Sequence, residues 1–453
     1  MDTSLLYYFA LFTVLSAAAL YKFNKTYVVG AAFMLGWLFL PSYVFQLAKM
    51  PKEGVFPIWI LGSSVPSLDW FSKAWFIPCT LLALTLALDR RRFQTIQFKW
   101  PDICVLMWCV WPIAQSLFAS KQEPAGWVQS LYLLGAWGTP WLLGKAYFST
   151  AADHLRLIKS ITLACLLYLP ISIIEGIWGP VLHEYLYAAN AFRYIGIERY
   201  VGYRPIGFLE DGNQFGVVIG LTSVLAIWLV RLAVGPNAKF YQTQALLLCA
   251  MTLAAQSVGA IGLAIFGIML IFLWDQLNAK LALIASLVIF TAISLMYVLT
   301  ADVGNWMWNS SLGQALVGFT KSIGRGSFAW RVWADQAALA TVRGDILFGT
   351  GNWAWWRQAN IRPWGLPQVL VGQFGLVAVI VAFTAICSGA IAHIFGSSRE
   401  LTRQPKGGGL VLSIVLALAV IDALLNSFVY FPMFVIGGAL ANKLPPLISP
   451  KVL

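Results

Sequence analysis

The chain has 453 residues, 60% of them hydrophobic and only 11% charged, with a mean hydropathy of +0.76. Soluble domains carry about 25% charged residues, so the composition excludes a water-soluble globular protein and specifies a polytopic helical membrane protein. The net charge of +12 is spread over short loops between apolar runs, where positive-inside bias and lipid phosphates account for it, and a nucleic-acid binder is excluded.

Spanning helices need runs of ~20 apolar residues. Such runs fall at about 5–21, 27–48, 74–88, 101–119, 127–147, 157–178, 206–230, 243–258, 259–276, 281–301, 366–394 and 410–430. A short further segment, 431–442, follows the break between Asn426 and Pro432, which makes an all-α bundle of about 12–13 spans in one transmembrane domain, 1–453. The run at 5–21 lacks a basic start and a small-residue cleavage site, and is therefore expected to be a helix and not a cleaved signal peptide. Stretch 51–72 is apolar but broken by prolines and by Ser63 and Ser64. It fits a loop, a dip or a poor span. The six cysteines lie inside apolar runs with no metal-ligand spacing, as expected for buried small apolar residues.

Lysines and arginines set the orientation. Arg90, Arg91, Arg92 and Lys99, then Lys145, Arg156 and Lys159, then Arg231 and Lys239, then Arg399, Arg403 and Lys406 fall on one side, which is expected to be cytoplasmic. Two loops, 179–205 and 302–365, are then expected outside, in the periplasm of a cell with an inner membrane. Both carry arginines against the positive-inside trend, and arginine on that side points to a ligand more than to topology.

The smaller outer loop holds five tyrosines and three arginines, Arg193, Arg199 and Arg204. It fits either an interfacial amphipathic helix or one wall of a shared cavity. It runs into Arg204-Pro-Ile-Gly207-Phe208-Leu-Glu210-Asp211-Gly212, at the mouth of a span. There Arg204 and Glu210 form a loop-closing ion pair, or Arg204 captures phosphate with Glu210 or Asp211 as proton acceptor. The large loop carries Arg325, Arg331, Arg343, Arg357 and Arg362, one lysine, three acids and eight of the chain's 21 tryptophans. Guanidinium forks bind phosphate bidentately, and flat aromatics stack on sugars or sit at headgroup level. Residues 328–342 fit a helix on which Arg331 and Asp335, at i,i+4, can pair. Gly349 and Gly351 form a glycine turn followed by Trp353. Arg199, Tyr203, Trp333, Arg343, Gly349, Gly351, Trp353, Arg357 and Arg362 are the candidate substrate-binding residues. Arg204, Arg325, Arg331, Glu210 and Asp211 are the candidate catalytic ones. No metal or cofactor is expected, because no Asp-x-Asp pair or His/Cys cluster occurs in the outer loops. Glu175 and Asp422 lie within spans and need partners that the sequence does not identify. His154, His183 and His393 are weaker candidates.

The order of these features resembles the bacterial O-antigen polymerase and O-antigen ligase superfamily. The features are a basic-inside bundle, an Arg-Pro-x-Gly-Phe…Asn motif opening a span, and a large outer loop running Gly-Arg…Arg-x-Trp…Phe-Gly-x-Gly into Gly372-Gln-Phe-Gly375-Leu. The resemblance covers about 200–390 most clearly. It implies a GT-C-like glycosyltransferase that takes an undecaprenyl-diphosphate-linked saccharide outside the inner membrane and transfers it, metal-independently and with inversion, to an acceptor sugar. It implies phosphate roles for Arg204 and for Arg325 or Arg331. Two departures shift the expectation toward a polymerase of O-antigen, capsular or exopolysaccharide repeats. Ser257-Val258-Gly259 lacks the arginine of the family's Ser-Arg-Gly, and the large loop lacks the histidine that ligases carry. A ligase acting on lipid A core or protein, a lipid-linked sugar transporter and a non-catalytic scaffold are the alternatives. The expected partners are the lipid-linked donor and acceptor, the bilayer, and export or chain-length-control proteins.

Overall fold

The computed structural model describes residues 3–41, 72–119, 122, 124–187, 198–273, 303–322, 327–353, 355–356, 361, 363–396, 407–424, 426–427 and 430–442. The expected span 281–301, most of stretch 51–72, and Arg193, Arg325, Arg357 and Arg362 lie outside the described residues.

Among the described residues the chain is helical, with no strand and a single isolated bridge between Glu198 and Tyr203. Three helices are long and apolar enough to cross a membrane: Ala151–Trp178, which turns at Tyr168, Gly212–Leu232 and Leu366–Gly396. Leu6–Lys22, Lys25–Phe39, Val258–Leu273 and Gly409–Ala423 are shorter apolar helices. Gly409–Ala423 is buried along its whole length, and Gly212–Leu232 over most of it. A helix that is apolar all round belongs inside a bundle. Gly212–Leu232 packs on Ala238–Ala254, Val258–Leu273 and Gly409–Ala423. Around them, Lys25–Phe39 packs on Ala151–Leu167, Trp100–Gln115 on Leu366–Gly396, and Met433–Leu440 on Thr139–Tyr147.

The expected run 127–147 is Gly126–Leu133 joined to Thr139–Tyr147 by a π-helical turn, Leu134–Gly138. The bulge admits Trp75, whose indole packs against Gly135 where any side chain would collide. The expected helix in the large loop is present as Ser327–Ala340, with Val303–Asn309 and Ser311–Ser322 before it.

Two helices give the bundle a direction. Lys25–Phe39 starts at Lys25, whose Nζ lies 3.7 Å from Asp89 and donates to the Leu88 carbonyl at 2.7 Å, and ends beside Lys73 at Leu40. Lys73–Asp89 therefore runs antiparallel to it, and Gly212–Leu232 starts at the Lys73 end. Arg90, Arg91 and Arg92 follow Asp89 at the opposite end. The segment 204–211 and the arginine triplet thus sit at opposite ends of the same helices.

Candidate functional site

Segment 204–211 does not begin a helix at 206 as the hydropathy suggests. Pro205 removes a backbone donor and Gly207 is held at φ 62°, so the helix waits until Gly212, where the Asp211 carboxylate accepts the Asn213 N–H at 2.5 Å. The eight residues 204–211 form an irregular, largely buried turn. Buried irregular backbone leaves polar groups to satisfy, and here other elements supply the partners. One oxygen of the Glu175 carboxylate accepts the N–H groups of Ile206 (2.8 Å) and Gly207 (2.5 Å). The Tyr168 hydroxyl accepts the Phe208 N–H at 2.5 Å, and the Lys73 ammonium donates to the Phe208 carbonyl at 2.7 Å. The Gln214 side chain accepts the Glu210 N–H at 3.1 Å.

Arg204 is 4% exposed. Its Nε donates to the Ala255 carbonyl at 3.2 Å and one Nη to Asn213 Oδ1 at 2.9 Å. Gly212 allows this approach, since a Cβ there would lie 2.6 Å from Arg204 Nε. The carboxylate of Glu210 is fully buried and interacts electrostatically with Lys73, a lysine from another helix. Arg204, Glu210 and Asp211 are thus brought together in one turn.

A groove of about 510 Å³ opens beside the turn, lined by Tyr200, Tyr203, Leu253, Gln256, Val258 and Ile261. Gln256, at φ 49°, is in the left-handed region. Its side chain both donates to and accepts from the Val201 backbone, at 2.6 and 3.1 Å, and so clips the 198–203 turn to the break between Ala238–Ala254 and Val258–Leu273. Tyr203 is half-buried and its N–H donates to the Gly176 carbonyl at 3.1 Å, while Arg199 is exposed.

A second cationic cluster forms on Ser327–Ala340. Arg331 donates to Asn426 Oδ1 at 2.6 Å and lies over the Trp364 ring, 4.8 Å from its centroid. Asn426 in turn donates to Asp422 at 2.8 Å, which supplies a partner for that intramembrane acid. Asp335 accepts the N–H groups of Trp364 and Gly365, so it anchors the chain where the loop re-enters the helix Leu366–Gly396. Trp333 and Trp330 are exposed beside it. An aromatic path joins the two clusters: Lys73 Nζ lies 5.6 Å from the Trp37 ring centre, and Trp37 stacks on Phe431 at 4.6 Å, five residues beyond Asn426.

The other candidates are placed differently. Arg343 is exposed in a turn, Arg343–Asp345. Trp353 is buried with its ring edge-on to Tyr132. Gly349 and Gly351, both at φ 70°, belong to a docking junction: the Gly351 N–H donates to the Gln373 carbonyl at 2.9 Å, and Thr350 donates to Gly372 through its N–H (2.9 Å) and hydroxyl (3.0 Å). Leu366–Gly396 breaks there at Gly375, φ 87°. Gln115, Gln129 and Trp111 complete the junction. Gln115 donates to the Phe348 and Gln373 carbonyls (2.6 Å each), Gln129 to the Gly351 carbonyl (3.1 Å) and Trp111 to the Phe374 carbonyl (2.9 Å). Among the described residues no group of three or more His, Cys, Asp and Glu side chains is placed to hold a metal ion.

Lys73, Tyr168, Asn426 and Gln256 escape sequence reasoning. A lysine at the edge of an apolar run reads as a topology charge, and Tyr168, Asn426 and Gln256 meet Phe208, Arg331 and Val201 across 40, 95 and 55 residues. The chain matches no protein-family model, no curated protein and no solved structure.

Proposed function

We propose that the chain is a polytopic membrane glycosyltransferase, a bundle of about 12–13 spans with the loop 302–365 outside, which moves a saccharide from a polyprenyl-diphosphate carrier to an acceptor sugar. With a lipid-linked acceptor this makes it a polymerase of O-antigen, capsular or exopolysaccharide repeats in a bacterial inner membrane. One observation carries the reading: the buried turn 204–211, fixed by Lys73, Tyr168, Glu175 and Gln214, which gathers Arg204, Glu210 and Asp211 directly after Tyr200 and Tyr203, two walls of a groove. Irregular backbone at membrane depth occurs where it is buried in protein or lines a cavity, and strained, over-determined segments gather at functional sites.

The chemistry suits such a site. In transfer from a diphosphate carrier the acceptor oxygen bonds to the anomeric carbon as the bond from that carbon to the phosphate oxygen breaks. The electron pair leaves on the diphosphate. Preorganised guanidinium groups stabilise the developing charge, commonly the largest catalytic contribution, at ~3 kcal/mol per donor. Arg204 and Arg331 are assigned that role. The acceptor hydroxyl loses its proton to a carboxylate, and Glu210 and Asp211 share the turn with Arg204. The exposed rings of Trp330 and Trp333 offer faces on which sugars stack. The position of the turn at the end opposite Arg90, Arg91 and Arg92 supports a site on the periplasmic side.

The test is direct. Purified protein incubated with undecaprenyl-diphosphate-linked repeat units should convert them to a ladder of longer lipid-linked products. Protein that leaves them as single units but carries them across a proteoliposome membrane would replace the transferase with a transporter.

A further inference from the structure

Lys73 is fully buried, and its ammonium has three carbonyl acceptors: Trp37 (3.0 Å), Leu40 (3.5 Å) and Phe208 (2.7 Å). The first two are at the C-terminal end of Lys25–Phe39, where unsatisfied carbonyls and the helix dipole favour a cation. The third is in the middle of the turn 204–211. Glu210, also fully buried, supplies the compensating charge. Three carbonyls around one ammonium use all three of its protons, so the side chain has a single orientation. Burial of a lysine at this depth is costly unless its charge is used, and here it both caps the end of Lys25–Phe39 and reaches across to the turn.

We propose that Lys73 is a positioning residue of the site. It ties the turn to the end of Lys25–Phe39 and thereby holds the Glu210 carboxylate and the Arg204 guanidinium in register. The activity arm of this inference rests on the glycosyl-transfer reading, but the structural arm does not. The ammonium also lies over Trp37, which stacks on Phe431, so the same residue fixes the turn relative to the segment that carries Asn426 and Arg331's anchor.

The experiment compares full-length wild type, Lys73→Met, Glu210→Gln and the double variant in detergent micelles, by peptide-resolved hydrogen exchange, thermal unfolding and turnover of lipid-linked repeat units. Lys73→Met removes one buried cation that interacts with Glu210, so a lower melting temperature is expected. The double variant removes both charges and should recover it. Positioning predicts that amides 206–210 still exchange at least about tenfold faster in the double variant, that the buried helix 412–421 keeps wild-type exchange, and that in Lys73→Met alone, where Glu210 is intact, kcat falls about tenfold or more while KM for the donor changes less. Wild-type exchange over 206–210 in the double variant would refute the inference. Exchange that rises equally in both segments would reduce Lys73 to a general stabiliser and refute it as well. If wild-type protein makes no ladder, the transferase reading fails, and the exchange comparison still decides what Lys73 does.

Discussion

At the residue scale the candidate site rests on side chains whose roles separate cleanly by substitution. Arg204 uses a fork, with Nε on the Ala255 carbonyl and Nη on Asn213. Lysine keeps the charge but cannot make both contacts, so Arg204→Lys should lower turnover by about 10²-fold with near-normal yield. Full polymer from Arg204→Lys and Arg204→Ala would remove this residue from the mechanism. On Ser327–Ala340 the i,i+4 spacing of Arg331 and Asp335 suggests mutual pairing, and each makes contacts of another kind besides. Arg331 reaches Asn426 and Trp364, and Asp335 takes two backbone N–H groups. The two alanine variants should therefore diverge. Arg331→Ala should cost turnover well beyond its loss of stability, about 1–2 kcal/mol from the bond to buried Asn426, whereas Asp335→Ala should cost about 1–3 kcal/mol of stability by stranding backbone donors and leave turnover of the folded protein nearer wild type. Thermal unfolding beside a product ladder distinguishes them. Glu175→Gln should likewise lower stability by about 1–3 kcal/mol, because a neutral amide oxygen is a weaker acceptor for Ile206 and Gly207 than a carboxylate. The sequence exposes Arg204, Glu210 and Asp211 because unusual residues crowd the mouth of a span. It does not expose Lys73, whose contact with Phe208 spans 135 residues. Nor does it pair Glu175 with backbone amides, which every residue possesses and no residue type advertises.

At the scale of the element, apolar runs locate helices well and their ends poorly. The run beginning at 206 is apolar from its first residue, but Gly212 is the first helical one, and the signals that delay it, Pro205, Gly207 and the cap Asp211, are local chemistry that hydropathy ignores. The run 366–394 reads as unbroken, yet Gly375 breaks it so that 346–351 can dock. The glycines of Phe-Gly-x-Gly resemble a substrate turn in sequence, and the structure gives them this docking as well. A Cβ at Gly349 would lie 2.5 Å from both the Gln373 carbonyl oxygen and the Gly375 nitrogen. Gly349→Ala should therefore lower the melting temperature, with ~1–2 kcal/mol lost from the left-handed backbone alone before any clash. A variant as stable as wild type, with altered turnover only, would return Gly349 to the substrate site.

At the scale of the whole molecule, orientation is the claim most exposed to test. A cysteine at Ser310, on the large loop, should react with an impermeant thiol reagent applied to intact spheroplasts. A cysteine at Thr95, between Arg92 and Lys99, should react only after permeabilisation. The reverse labelling would move the proposed site to the cytoplasm. All-helical character and membrane-length segments are legible from composition, since apolar length alone dictates them. The opposition of the turn 204–211 to the arginine triplet is legible only once Lys25–Phe39 and Lys73–Asp89 are seen to run antiparallel, because charge counts give a side and not a neighbour.

The junction at Gly375 also bears on how the chain is made. Gln115 and Gln129 are translated early, residues 346–351 much later, and the carbonyls of Gly372, Gln373 and Phe374 later still, and the contacts among them span up to 263 positions. Contacts of such separation form slowly, because the entropy of closing the intervening chain is lost before the bonds repay it. Until Leu366–Gly396 has been made, the Gln115 amide lacks the Gln373 carbonyl, the Trp111 indole lacks the Phe374 carbonyl, and residues 346–351 have no seat. Nascent chains that stall before residue 376 therefore leave Gln115 and Trp111 without the backbone carbonyls that hold them in the folded chain. Such chains are the form of this protein that a membrane protease should remove first.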